Sequence, residues 1–164
     1  MRLSTRGRYA VMAMVELATR QDAAPPPGCG RASPPVSLAE IAVSQMLSLA
    51  YLEQLFGPLR RAGLVVSARG PGGGYRLARP AGDIAIAAII DAVDEPIIAT
   101  RCEESAPGCV GGRRCNTHDL WAELGEHIRL FLDGITLQDV MRGDVPGRAT
   151  EPQPVKPRRE LTRA

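Results

Sequence analysis

Three of the chain's four cysteines and one of its two histidines fall within RCEESAPGCVGGRRCNTH, residues 101–118. Cys102, Cys109, Cys115 and His118 follow the spacing C-x6-C-x5-C-x2-H. Three thiolates and an imidazole satisfy a tetrahedral zinc ion, or the four terminal positions of a 2Fe–2S cluster. Structural zinc sites usually draw their cysteines in close pairs on a tight knuckle, and this segment has no such pair. Its wide gaps, filled with Ser, Gly and Pro, let the chain wrap something larger than one ion. Gly108, Gly111 and Gly112 admit backbone close to the centre, and Arg113 and Arg114 offset the charge of a thiolate-bound cluster. The spacing favours a cluster, with zinc as the alternative. Imidazole is a neutral, protonatable ligand and holds a cluster less firmly than thiolate does. Such a site suits sensing better than permanent electron carriage.

Two other residues of these types are set aside. His127 lies nine residues after His118, about half a turn out of phase on a continuous helix, so it points away from the cysteines. Cys29 is alone in a proline-rich stretch, where a cysteine is usually incidental.

The flanking elements must position this loop. Ser4 or Thr5 caps a helix running to about Arg20, with Tyr9, Met12, Ala13 and Leu17 on an apolar face. Residues 22–37, DAAPPPGCGRASPPVS, read as an exposed loop. Ser37 caps a short helix to about Val43 that packs Leu38, Ile41 and Ala42 inward, and Ser48 caps a second one to about Ala62. Leu52, Leu55, Phe56 and Leu59 supply the buried stripe of the second. Two short helices with so tight a connection form a helix-turn-helix. Pro58 predicts a kink, or a break near Gly57. LVVS, the turn GPGGG and the returning strand YRL then form a hairpin wing. Residues 84–93, IAIAAIIDAV, read as a buried helix.

A long helix starts near Asn116 and carries Leu120, Leu124, Ile128 and Phe131, flanked by Trp121 and Leu132. That is more apolar surface than one helix needs against so small a body. Core packing is the plain explanation; a dimer seam is the favoured one, because helix-turn-helix proteins commonly read paired half-sites. Gly134 ends the helix, and Thr136 with Asp139 caps a last short turn to Met141. From about Gly143 the chain is rich in Pro, Arg and Glu and reads as a disordered tail. The fold class is therefore mostly α with a small β-wing. A winged helix-turn-helix domain spans 1–82, a cluster-binding loop and dimerisation helices 83–141, and a tail 142–164.

Composition narrows the function. At 45% hydrophobic and 4% aromatic, the core is aliphatic. No apolar run approaches the roughly 18 residues of a membrane span. The apolar stretch 9–18 contains Glu16 and no small-residue cleavage site, so a signal peptide is not expected. A cytoplasmic location follows, where cysteines serve as metal ligands or redox groups more than as disulfides. Net charge is only +2, yet Arg60, Arg61, Arg69, Arg76 and Arg79 lie between Pro58 and Pro80 with no acid among them. A solvated face is the plain reading of that patch and a phosphate-contacting surface the functional one. The glycine run has neither a following GKS or GKT nor G-x-G-x-x-G spacing, so it is not a phosphate-cradling loop. With no nucleophile beside a base, an enzyme is not expected.

The segments MRLSTRGRYAV, SLAYLEQLFGPLRRAGLV, RGPGGGYRL, DAVDEPIIATRC and RRCNTHDLW resemble the bacterial iron–sulfur cluster regulators and their wider family of winged-helix repressors. The resemblance spans roughly residues 1–141. It implies a homodimeric repressor that binds a double-stranded DNA operator, carries a 2Fe–2S cluster on Cys102, Cys109, Cys115 and His118, and controls cluster-assembly genes. It also implies that the cluster-free form binds a second class of site and that iron–sulfur scaffold proteins donate the cluster. Related sensors respond to nitric oxide or redox stress. Tyr51, Glu53 and Gln54 fall at the DNA-facing positions of the recognition helix and Arg69 at the base of the wing. Departures are a first loop gap one residue longer than usual, the insertion at 22–37, and Ala50 in place of an expected DNA-contacting serine.

Overall fold

The computed structural model describes residues 5–23, 34–93 and 116–145. Helix α1 (Thr5–Asp22) presents Ala10, Ala13, Met14, Leu17 and Ala18 to the core. Helices α2 (Leu38–Gln45) and α3 (Leu49–Arg61) follow, and then strands β1 (Val65–Ala68) and β2 (Gly74–Leu77). The later elements are α4 (Ile86–Ala92), α5 (His118–Asp133) and α6 (Leu137–Arg142). Among the described residues the sheet is a two-stranded antiparallel hairpin that pairs Val65 with Leu77 and Ala68 with Gly74. The fold is mostly helical with a small β-wing, as expected from the sequence.

The helix starts are set locally. Ser37 caps α2, its side chain accepting from Glu40 N–H while the Glu40 carboxylate accepts from Ser37 N–H. Thr136 and Asp139 form the same reciprocal box on α6. Each box satisfies two of the backbone donors that a helix start leaves orphaned. In both, the hydroxyl and backbone N–H of the cap residue hold the carboxylate's pKa below the ordinary carboxyl range.

Three expectations are corrected. The break near Gly57 does not occur: α3 runs unbroken through Pro58. The proline ring is buried beside Leu55 and Leu59, and its carbonyl accepts from Ala62 N–H at 2.9 Å. The one bond that cannot form is to the carbonyl of Gln54, an exposed residue. Burial of the ring offsets that loss. Val36, placed in an exposed loop, is 7% exposed and bridges Tyr75, with N–H···O bonds of 2.9 and 2.8 Å in the two directions. It adds a single backbone bridge along the other edge of β2, so close that a Cβ on Gly74 would collide with the Val36 carbonyl. Ile84 and Ala85 precede α4 in extended backbone rather than joining it. Ile86 N–H donates to Ile135 O and Leu137 N–H to Ile84 O, so the start of α6 is stitched to the start of α4. Residues 24–33 and 146–164, which include Cys29 and most of the expected tail, lie outside the described residues.

A continuous apolar core joins α1, the helix-turn-helix, the wing and α4 with Ile135 and Leu137. Phe56 is fully buried and meets the Tyr75 ring edge-on at 4.8 Å. This contact fastens the wing to α3.

The turn between α2 and α3 holds the one positive-φ non-glycine among the described residues, Met46, at φ 52 and ψ 42. Left-handed backbone costs an L-residue roughly 1–2 kcal/mol and a glycine almost nothing. Met46 is 92% exposed and contributes nothing to the core in return. Met46→Gly is expected to raise the thermal unfolding midpoint and Met46→Val to lower it. The two should differ by roughly 1–2 kcal/mol, because a β-branched residue tolerates this region least. Equal midpoints would mean the turn relaxes out of the left-handed region.

Candidate nucleic-acid interface and metal-ligand loop

The helix-turn-helix is held from behind by α1. Glu16 is the joint: its carboxylate accepts from Gln45 Nε2 at 2.9 Å and from Arg20 Nε at 2.6 Å. Burial pushes the Glu16 carboxyl up, but hydrogen bonds from Ser44, Arg20 and Gln45 and the Arg20 charge outweigh it, leaving a pKa below the ordinary value. An ionised carboxylate thus fixes the end of α2 and the turn it leads into. On the wing side, Gln21 Oε1 accepts from Leu77 N–H at 3.1 Å, so α1 also fixes β2.

α3 has two contrasting faces. Leu52, Leu55, Phe56, Pro58 and Leu59 are buried. Ala50, Glu53 and Gln54, spaced i, i+3 and i+4, are exposed together on the opposite side. Ser48 caps this helix by accepting from Tyr51 N–H. Tyr51 differs from Glu53 and Gln54: it is half-buried, its ring edge-on to Tyr9 of α1 at 6.0 Å and 90°. One side of it therefore braces α3 on α1. Arg60 and Arg61 are exposed in the last turn of α3, where cations also offset the helix dipole. Arg69 is exposed just past β1, and Arg76 is half-buried on β2 opposite Val66. The basic patch therefore flanks the polar face of α3 from its C-terminal end and from the wing.

Of the four metal-ligand candidates only His118 is among the described residues, as the first residue of α5 and half-buried. Cys102, Cys109 and Cys115 lie outside them. Among the described residues no three His, Cys, Asp or Glu side chains gather as a metal site. The segment 94–115 runs from Val93, which is fully buried, to α5, which has no buried residue. On α5, Leu120 is 63% exposed, Trp121 41%, Leu130 54% and Phe131 49%, while Leu132 packs against the core. His127 is exposed and faces Glu123 at 3.4 Å.

A capped recognition helix with an exposed polar face, a wing fastened beside it and arginines on both flanks define a winged-helix transcriptional regulator. Residues 3–143 match the Rrf2 family of iron-dependent transcriptional regulators, and the chain belongs to that family. It is 52% identical over 143 residues to the HTH-type transcriptional regulator IscR of Photobacterium profundum, covering 87% of this chain and 76% of that one. Among solved structures it is similar to T. potens IscR, with 35% identity, a TM-score of 0.65 and coverage of 93% and 94%. It is also similar to CymR, the global cysteine regulator of B. subtilis, with 34% identity, a TM-score of 0.68 and coverage of 87% and 98%. The chain is thus a regulator and not an enzyme. Among the described residues no helix is long and apolar enough to cross a membrane.

Sequence reasoning missed the roles of Glu16, Gln21 and Val36 in holding the DNA-reading elements. Only the spacing of Glu16 and Arg20 at i, i+4 offered a local signal.

Proposed function

We propose that this regulator is a homodimeric repressor of iron–sulfur assembly genes that reads cluster status through a 2Fe–2S centre on Cys102, Cys109, Cys115 and His118. The functional division is 1–82 for DNA binding, 83–141 for the centre and the dimer seam, and 142–164 as a tail. The observation that carries this is the position of His118. It opens a helix with no buried residue, directly after the segment that contains the three cysteines. The donor set fits the group, since three thiolates and one imidazole supply four terminal ligands.

When bound, the cluster supplies a reversible cross-link between the ends of one loop. Cys102 lies near the buried end of α4 in sequence, and His118 is part of α5. A group held by both would tie the segment after α4 to the first residue of α5, the helix that carries the exposed apolar residues. Paired across a two-fold axis, those residues space two recognition helices for two half-sites. Tyr51, Glu53 and Gln54 face bases, and Arg60, Arg61, Arg69 and Arg76 face phosphates. The support for the dimer is the set of four large apolar side chains exposed on one helix. An origin of the cluster in iron–sulfur scaffold proteins and a cytoplasmic site of action accompany this reading.

The deciding experiment is purification without oxygen, iron and sulfide analysis, and operator titration with and without the cluster. Stoichiometric zinc and no sulfide would favour a zinc-stabilised repressor instead. Loss of cluster to nitric oxide before any response to cluster supply would make it a nitric oxide or redox sensor. The phosphate contacts are tested separately. Arg61→Ala should weaken binding to all duplexes alike and reduce the slope of log affinity against log salt by about 0.9. An unchanged slope would remove Arg61 from the interface.

A further inference from the structure

The leading end of the helix-turn-helix is apolar and uncovered. Met46 is 92% exposed, Val43 81% and Leu49 44%, and Ala50 is exposed beside them. Residues 41–52 carry no charge at all. The basic patch lies elsewhere, at the far end of α3 and on the wing. The side chains of Val43, Met46 and Leu49 offer phosphate no hydrogen-bond donor and no charge, so phosphate contact does not explain their exposure. Nor does the fold need it, since Leu52, Leu55 and Phe56 fill the core from the other face.

What an apolar tip can meet is set by where it goes. The N-terminal residues of a recognition helix enter the major groove first. The one apolar group that DNA displays on the floor of that groove is the C5-methyl of thymine. We infer that Leu49 and Ala50, with Met46 at the margin, form a thymine-methyl-reading tip that helps determine which operators this regulator takes. The inference rests on the reading of α3 as the DNA-facing helix and adds the base that its first turn selects.

The same face gives the register. Ala50 lies one helical turn before Glu53 and Gln54, so their side chains start about 5–6 Å apart. A carboxylate in the groove is favourable opposite a cytosine amino group. A thymine read by Ala50 should therefore lie within about two base steps of a cytosine read by Glu53, given the roughly 3.4 Å rise between bases.

The test selects tight-binding duplexes from a random library with the full-length protein. Each thymine in a selected half-site is then replaced in turn by deoxyuridine, which removes only the methyl group. Affinity should fall about fourfold at each methyl buried by the tip, with the salt slope unchanged. In Ala50→Ser that uracil penalty should disappear at one position within about two base steps of a cytosine, with the unfolding midpoint unchanged. Full affinity for uracil-substituted duplexes throughout would overturn the inference and leave DNA binding by α3 standing. Failure to bind any duplex would instead remove the reading of α3 itself. A third result would also overturn the inference: Met46→Ser or Leu49→Ser changes self-association by sedimentation and leaves the uracil penalty intact. The tip would then belong to a protein contact.

Discussion

Replacing any one of Cys102, Cys109 or Cys115 by Ala should strip iron and sulfide from protein isolated without oxygen, while the winged-helix fold survives. Both halves of this expectation have a physical basis. In the proposed centre each thiolate fills one of four terminal positions, and a methyl group cannot replace it. The described core, in contrast, is built by α1, the helix-turn-helix, the wing, α4 and the start of α6. Phe56, Met14, Leu17, Leu52, Leu59 and Leu137 are its large, fully buried members. None of these lies in 94–115. The loss should therefore appear in iron and sulfide analysis and in visible absorption, from one cluster per chain to background. Far-ultraviolet circular dichroism and the unfolding midpoint should stay near those of the parent. His118→Cys should keep a cluster and release it more slowly to a chelator, because a thiolate holds iron more firmly than an imidazole. If all three alanine variants retain sulfide, the cysteines are not the ligands.

Glu53→Ala should let cluster-free protein bind operators that otherwise require the cluster. A carboxylate on the outward face of α3 is repelled by phosphates and by the acceptor edges of bases, and is favourable only opposite a cytosine amino group. Glu53 is exposed next to Ala50 and Gln54 and opposite the buried stripe, so nothing in the core explains its charge. In the proposed interface it would act as a filter that rejects some sites more than it attracts others. In the proposed dimer, coupling to the ligand loop would run through α5, which begins at His118 and would set how two recognition helices are spaced. A small change in spacing moves Glu53 toward or away from the cytosine that accommodates it. Removing the carboxylate should shift discrimination between operator classes by about 1–3 kcal/mol, close to the value of one good base contact. The measurement is a titration of cluster-free and cluster-loaded protein on both classes of site. Discrimination by cluster-free Glu53→Ala equal to that of the cluster-free parent would assign the filter to another residue.

What could be read without coordinates was local. The caps at Ser37, Ser48 and Thr136 act within three residues of themselves, so their partners stand beside them in the sequence. The wing was legible because its glycine run permits a tight turn between two short apolar strands. The stripe Leu52, Leu55, Phe56 and Leu59 was legible because burial follows the helical period. The order of winged helix, cysteine-rich segment and exposed helix was visible for the same reasons.

Tertiary structure decided whatever depends on residues far apart in the chain. Pro58 alone signals a kink or a break, and it is with the proline ring buried that α3 continues unbroken to Arg61. Val36 sits beside prolines and looked like loop until Tyr75, distant in sequence, offered it a backbone partner. Glu16 read as one polar residue in an apolar helix, and only packing brought Gln45 to it. Tyr51 read as a DNA-facing residue, and only the approach of Tyr9 showed that half of it braces α3. Caps and periodicity are energies of near neighbours and are written along the chain. The pairing of α1 with the turn, of Val36 with the wing and of α6 with α4 is a choice among distant partners. Those contacts form only once the chain has collapsed around a shared apolar core.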